Sequence, residues 1–195
     1  MDPEVAARHT SPRWSAEELA LLELAKAGDH EACQHLLRPH VAALLAMARR
    51  LTGDVHWAED LLQETLLRAF QGLSGFRGSS SLKTWLFRIE IHLHQEPQRW
   101  QRRDRAGSLA GLEVPDNLQA SAADSAIGRE LVERIQEAME RLPARQRTAL
   151  HLRAVEGFDY QGIAEVLGCS TGAARMLVLA ARTKVEERLG RYLEP

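Results

Sequence analysis

The chain has 195 residues, 25 lysines and arginines against 27 aspartates and glutamates, a formal net charge of −2, 45% hydrophobic residues and 5% aromatic ones. That length holds one medium domain or, better, two small helical ones, and the dominance of Leu, Ala, Arg and Glu over aromatics favours helices over sheets. The charge balance excludes a global nucleic-acid-attracting field, so any such contact must come from local basic patches.

Only two cysteines are present, Cys33 and Cys169, in no paired or metal-ligand spacing. This suits a reducing cytoplasm better than a disulfide-stapled exported scaffold. Residues 1–14 are polar and interrupted by prolines, unlike a signal peptide or anchor, and read as a flexible N-terminus. No stretch approaches membrane-spanning length, so a cytoplasmic protein without membrane insertion is expected.

The first helix is expected from Ser15, with Glu18 as its capping-box partner, through Leu19, Leu22 and Ala25. Gly28-Asp29 stops and restarts the chain into a second helix through Ala32, Leu36 and Leu37. Pro39 opens or bends a third, carrying Val41, Leu44, Leu45, Ala48 and Leu51, which Gly53-Asp54 ends. Val55 to Gln71 puts Ala58, Leu61, Leu62, Thr65, Leu66, Ala69 and Phe70 on one stripe, with Asp60, Gln63, Glu64 and Leu67 opposite. After a Gly- and Ser-rich turn, a helix runs from Ser81 through Trp85, Leu86, Ile89 and Leu93, and Pro97 should end it. Periodicity then fades, and Gly107, Gly111, Pro115, Asp116 and Asn117 read as a flexible linker. Beyond it, helices are expected at about 126–141, 143–155, 159–167 and 170–189, punctuated by Pro143, Gly157 and Gly168.

The strongest local signal spans Tyr160 to Lys184. Ile163, Ala164 and Leu167 precede a Gly168-Cys169-Ser170 turn in which Gly168 permits the left-handed backbone and Ser170 caps a second helix, the grammar of a helix-turn-helix. An ordinary helical hairpin is the plainer alternative. In a helix-turn-helix, Ala174, Leu177, Val178, Ala181 and Val185 pack inward, leaving Thr171, Gly172, Arg175, Met176, Leu179 and Arg182 facing out. The two arginines suit phosphates or guanine edges, whereas Met176 and Leu179 offer only apolar contacts such as thymine methyls. An exposed apolar pair also fits a protein interface.

In this order the elements resemble sigma-70 family factors of the extracytoplasmic-function type over nearly the whole chain. Ala58-Glu59-Asp60-Leu61-Leu62-Gln63-Glu64-Thr65 is similar to the family's helix that docks on the clamp helices of the polymerase β′ subunit. The resemblance implies polymerase-binding roles for Asp60, Gln63 and Glu64, with Leu67 on the same face; without it, a solvated acidic face would be the simpler reading. Phe76-Arg77-Gly78 and Leu82 to Ile89 resemble the −10 recognition and melting segment. There Lys83 and Arg88 would hold backbone phosphates, while the spacing of Trp85 with Ile89 points to the core. Leu142 to Arg147 and Glu156-Gly157-Phe158-Asp159-Tyr160 resemble the entry to the −35-binding region.

Two stretches depart from the family pattern. Glu90 to Pro97 stands where an Ala, an Asn and a helix restart are usual; His92 lies near that Asn position and could hydrogen-bond or stack on a flipped base, while Glu90 and Glu96 would repel phosphates. Ala174-Arg175-Met176-Leu177 and Ala180-Ala181-Arg182 lack two of the usual cations. Arg99, Trp100, Arg102, Arg103 and Arg105 form a basic cluster suited to a DNA backbone, or to a solubilising linker boundary.

No phosphate-cradling loop, nucleophile elbow or paired-Cys metal site is present, so neither an enzyme nor a cofactor is expected. His30 and His35 are five apart, about 140° around a helix, and cannot share one zinc. The expected organisation is all-α: a flexible segment 1–14, a region 2-like bundle at 15–103, a flexible linker at 104–125 and a region 4-like helix-turn-helix domain at 126–192. The resemblance implies core RNA polymerase (β′ clamp helices and β subunit), promoter DNA and an anti-sigma factor as partners. The −10 contacts would come from Lys83, Arg88, His92, Arg99, Arg102 and Arg103, and the −35 contacts from Thr171, Arg175, Met176, Leu179 and Arg182. Two alternatives remain open: a sigma-like protein with weakened promoter recognition, and a polymerase-independent helix-turn-helix regulator.

Overall fold

Four of the five described α-helices of the N-terminal half begin at a side-chain cap that the sequence supplies. The computed structural model describes residues 14–96 and 126–193, with side chains at 14–96 and 133–190; the expected linker, and with it Arg99, Arg102 and Arg103, lies outside the described residues. Helix α1 (Ala16–Lys26) starts at the Ser15/Glu18 capping box. Helix α2 (His30–Leu37) starts at Asp29, whose carboxylate accepts from the Glu31 and Ala32 amides. A 3₁₀ turn at Arg38–His40, opened by Pro39, leads into α3 (Val41–Thr52). Gly53, at φ 68°, ends α3 in the left-handed conformation, and Asp54 caps α4 (Val55–Gly72) through the Trp57 amide at 2.9 Å. Such caps each contribute about 1 kcal/mol. Helix α5 (Leu82–Gln95) is capped by Ser81.

Helices α3, α4 and α5 pack on one another, and α1 packs on α2 and on the 3₁₀ turn Leu73–Gly75. The α4 stripe buries Ala58, Leu61, Leu62, Thr65 and Ala69 as the pattern predicts. Phe70 departs from it: the ring is 41% exposed and stacks on His30 with centroids 4.8 Å apart. Trp85 packs on Phe76 with centroids 4.8 Å apart and the rings tilted by 34°, and Phe76 meets Trp14 at 5.6 Å. Trp14 also donates to the Ser80 carbonyl, so the chain entering α1 is tied to the turn before α5.

In the C-terminal half, α6 (Ala126–Glu140), α7 (Ala144–Ala154) and α8 (Tyr160–Leu167) surround the long α9 (Thr171–Leu193). Arg145 donates to the Leu167 carbonyl at 2.9 Å and Arg188 to the Ala138 carbonyl at 3.1 Å, so cations of this half satisfy orphan helix-end carbonyls. All described elements are helical, as expected. No single helix among the described residues is long and apolar enough to cross a membrane.

The two halves do not stand apart. Helix α8 packs on α5, and one continuous cluster of buried side chains runs from Leu22, Leu44 and Leu86 through Phe87 and Ile91 to Leu152, Phe158, Ile163 and Val178. Leu86, fully buried in α5, anchors the N-terminal part of this core. Leu86→Ala should cost about 2–5 kcal/mol in urea denaturation, whereas Leu19→Ala, at a position 47% exposed, should stay within about 0.5 kcal/mol. Equal effects would show that the cluster does not carry the stability.

Candidate polymerase and nucleic-acid interfaces

Helix α4 turns its apolar stripe inward and leaves Asp60, Gln63 and Leu67 exposed on the other side, with Glu64 half-buried beside them. Leu67 is 49% exposed. Glu64 accepts a hydrogen bond from Arg68 at 3.0 Å, one turn on, an exposed pair that water and a competing cation readily displace. These four residues form a patch of carboxylate, amide and aliphatic surface suited to a basic helical partner.

Helix α5 presents a more divided surface. Arg88 and His92 are exposed, with His92 4.0 Å from Glu96. Lys83 is not: it turns into the contact with the C-terminal half, where Nζ donates to the Glu156 carbonyl at 2.8 Å and lies 2.9 Å from the Glu156 carboxylate. The ammonium also sits 5.7 Å and 5.3 Å from the ring centroids of Phe87 and Phe158. Glu90, expected to face phosphates, is instead fully buried, and neither carboxylate oxygen has a hydrogen-bond partner. Four and seven residues beyond Lys83, Phe87 and Glu90 share its stripe, which explains why all three meet the same neighbour.

The helix-turn-helix forms as its grammar dictates. Asp159 caps α8 through the Gly162 amide at 2.7 Å, Gly168 adopts φ 61°, and Ser170 accepts from the Ala173 amide at 3.1 Å. The two helices bend by 101°. Ala164 and Ala174 are buried at their crossing, with Val178 and Ala181 below. Thr171, Arg175, Met176, Leu179 and Arg182 all lie on the exposed face of α9, Met176 at 60% and Leu179 at 53%. Arg175 stands over the Tyr160 ring at 5.1 Å, as does Arg153 from the other side of the turn, and Arg182 pairs with Glu186.

Several organising residues have partners that the sequence alone does not name. Glu156 bridges Lys83 and His151, whose Nε2 lies 3.4 Å from the second carboxylate oxygen. Burial pushes the Glu156 carboxyl up, but the hydrogen bonds from His151 and Lys83 prevail and hold it below its ordinary value. Burial keeps His151 low. Gly162 leaves room for Phe158: a Cβ there would stand 2.9 Å from Cδ1 of that ring. The Glu156-Gly157-Phe158-Asp159-Tyr160 run was visible, but nothing in its spacing names α5 as its neighbour.

An all-helical chain with an acidic-apolar helix face in its first half and an exposed helix-turn-helix in its second defines a two-part factor built to meet a protein and DNA. Residues 36–103 match the family described as Sigma-70 region 2, and residues 132–185 match Sigma-70, region 4. The chain is 30% identical over 181 residues to the RNA polymerase sigma-H factor of Pseudomonas aeruginosa, covering 89% of this chain and 94% of that protein. It is 35% identical over 152 residues to the ECF RNA polymerase sigma factor EcfG of Rhodopseudomonas palustris, covering 76% and 80%. Among solved structures it is similar to the sigma factor RpoE of Bartonella quintana, determined in complex with the anti-sigma factor NepR: TM-score 0.62 and 27% identity, covering 83% of this chain and 98% of that one. The chain belongs to the sigma-70 family of RNA polymerase sigma factors, in its extracytoplasmic-function branch.

The buried Glu90 gives a pH test of this geometry. Burial, reinforced by the Glu156 carboxylate, raises its pKa well above the ordinary 4.5, so the folded chain keeps a proton that the unfolded chain releases. The stability this contributes is complete below about pH 4.5 and is lost as the pH climbs toward the raised folded value. Glu90→Met should therefore stabilise the protein at pH 7.5 by about 1–3 kcal/mol, the cost of a buried unpartnered polar group, and remove this part of the pH dependence. Thermal denaturation at pH 5 and pH 7.5 reads both effects; an unchanged profile would mean that Glu90 is solvated.

Proposed function

We propose that this chain is a promoter-selecting subunit of bacterial RNA polymerase, acting in the cytoplasm and performing no covalent chemistry of its own. The observation that carries the reading is the order of two units: a region 2 bundle with an exposed Asp60, Gln63 and Leu67 face, followed by a region 4 helix-turn-helix with an exposed recognition helix. Polymerase supplies catalysis. The chain docks on the β′ clamp helices through Asp60, Gln63, Glu64 and Leu67, and α9 grips upstream duplex through Thr171, Arg175, Met176, Leu179 and Arg182. Opening of the −10 region falls to Lys83, Arg88 and His92, with Arg99, Arg102 and Arg103 following in sequence. Control by an anti-sigma factor is part of this reading, supported by the solved relative that was captured with one.

A second reading, weakened −35 selectivity, is favoured by one feature. The centre of the α9 face is the apolar pair Met176 and Leu179, and its flanking arginines already hold intramolecular partners.

In vitro transcription with purified core polymerase and genomic DNA fragments should yield new 5′ ends sharing upstream sequence. Asp60→Lys should reduce core binding at least about tenfold, the loss expected when a charge at a complementary interface is reversed. Core binding without transcripts would favour the second reading, and absence of core binding would sink both. Arg182→Ala should weaken promoter-fragment binding and lower the salt-dependence slope by about 1 if it meets a phosphate; an unchanged slope assigns Arg182 to Glu186 alone.

A further inference from the structure

The part of α9 that projects furthest from the fold carries no charge over its first turns. Gly172, Met176, Leu179 and Thr183 follow one another at helical spacing along one stripe, and all four are exposed, Met176 at 60% and Leu179 at 53%. At about 100° per residue, that stripe stands opposite the buried one formed by Ala174, Val178 and Ala181. The cations sit to one side of it. Arg175 and Arg182 share the neighbouring stripe, and Arg153 joins Arg175 over the Tyr160 ring, each guanidinium 5.1 Å from its centroid. Glu186, the first acidic residue of α9, comes a turn later and is paired with Arg182.

An aliphatic ridge of two side chains falls far short of the roughly 800 Å² per partner that a stable protein interface buries. The arginine edge beside it is complementary to a polyanion instead. With those arginines on the phosphates of one groove wall, the ridge faces the base edges of the major groove, whose donors and acceptors Met and Leu cannot pair. The apolar group presented there is the 5-methyl of thymine. Met176 and Leu179 are about 4.5 Å apart along the helix axis, close to the spacing of about 3.4 Å per base pair, so the two side chains match methyls on successive pairs.

We propose that Met176 and Leu179 are specificity-determining residues that read the 5-methyl groups of thymines at adjacent base pairs. The inference rests on reading α9 as the helix that meets upstream duplex, and it names what that helix selects. Arg175 and Arg182 fix its register on the phosphates and carry no sequence information of their own. The ridge supplies the discrimination, by apolar contact in place of hydrogen bonds.

Uracil pairs as thymine does but lacks the methyl, which makes it the probe. A library of short duplexes with a randomised centre is bound to the full chain, alone and assembled with core polymerase, and the retained sequences are read. They should share thymines at adjacent base pairs. Replacing these by uracil should weaken binding, measured by fluorescence anisotropy, about fourfold per methyl, the value of burying one such carbon group. Met176→Ala and Leu179→Ala should each lose sensitivity to one methyl while helical circular dichroism and the salt dependence set by the arginines are kept.

Equal affinity of the wild type for thymine and uracil duplexes overturns the proposal and requires no variant to fold. So does a library from which nothing is enriched, the result that weakened selectivity predicts. Variants that bind both duplexes as the wild type does, yet assemble less with core polymerase, assign the ridge to a protein partner and overturn it equally. Methyl sensitivity in a chain that fails to bind core polymerase would instead count against the sigma-factor reading alone.

Discussion

Helix α5 has to be buried on two sides, and the rest of the arrangement follows from that constraint. Its residues Leu82, Leu86 and Leu93 close the core under α3 and α4, while Phe87, Glu90 and Ile91 are buried as well. A helix with a single apolar stripe needs one neighbour; a helix apolar most of the way round needs two. The second neighbour is supplied by the turn after α7 and by α8, which places the helix-turn-helix unit against α5. Removing that neighbour would return Phe87 to water, at a cost of about 1.5–3 kcal/mol for a side chain of that size.

The electrostatics of the contact are a compromise between geometry and solvation. Glu156 has good partners, Lys83 on one oxygen and His151 on the other, and it keeps its charge despite burial. Glu90 has none and is driven toward its neutral form. Two carboxyls of opposite behaviour within one contact make the closed arrangement sensitive to anything that offers Lys83 another anion. On the proposed reading of α5, a DNA backbone would be such an anion.

The local structure was legible because it is written in local chemistry. Ser15, Asp29, Asp54, Ser81, Asp159 and Ser170 each precede a helix and each accepts an amide hydrogen bond where the sequence places it. Gly53 and Gly168 end helices in the left-handed conformation for the same reason. What periodicity could not supply was the identity of a neighbour. The stripe through Lys83, Phe87 and Glu90 announces a buried face only in part, because two of its three members are ionisable, and such residues ordinarily signal solvent. Phe70 shows the converse: it falls in register with the α4 core but is left exposed and stacks on His30 at the surface. Register assigns a side; only the tertiary arrangement decides whether something covers it.

The two surfaces proposed to meet DNA consequently differ in how firmly their cations are already held. On α9, Arg182 is tied to Glu186 in a solvent-exposed pair of the kind that contributes little, and Arg175 lies over Tyr160 in a contact worth about 0.5–1 kcal/mol when solvated. Both arginines can exchange these partners for phosphates without moving the backbone. Lys83 cannot, because its carboxylate, carbonyl and two aromatic contacts all come from a packed interface that must separate as a unit. In this arrangement the outer face of α9 is therefore open to solvent while Lys83 of α5 is held inside a packed contact.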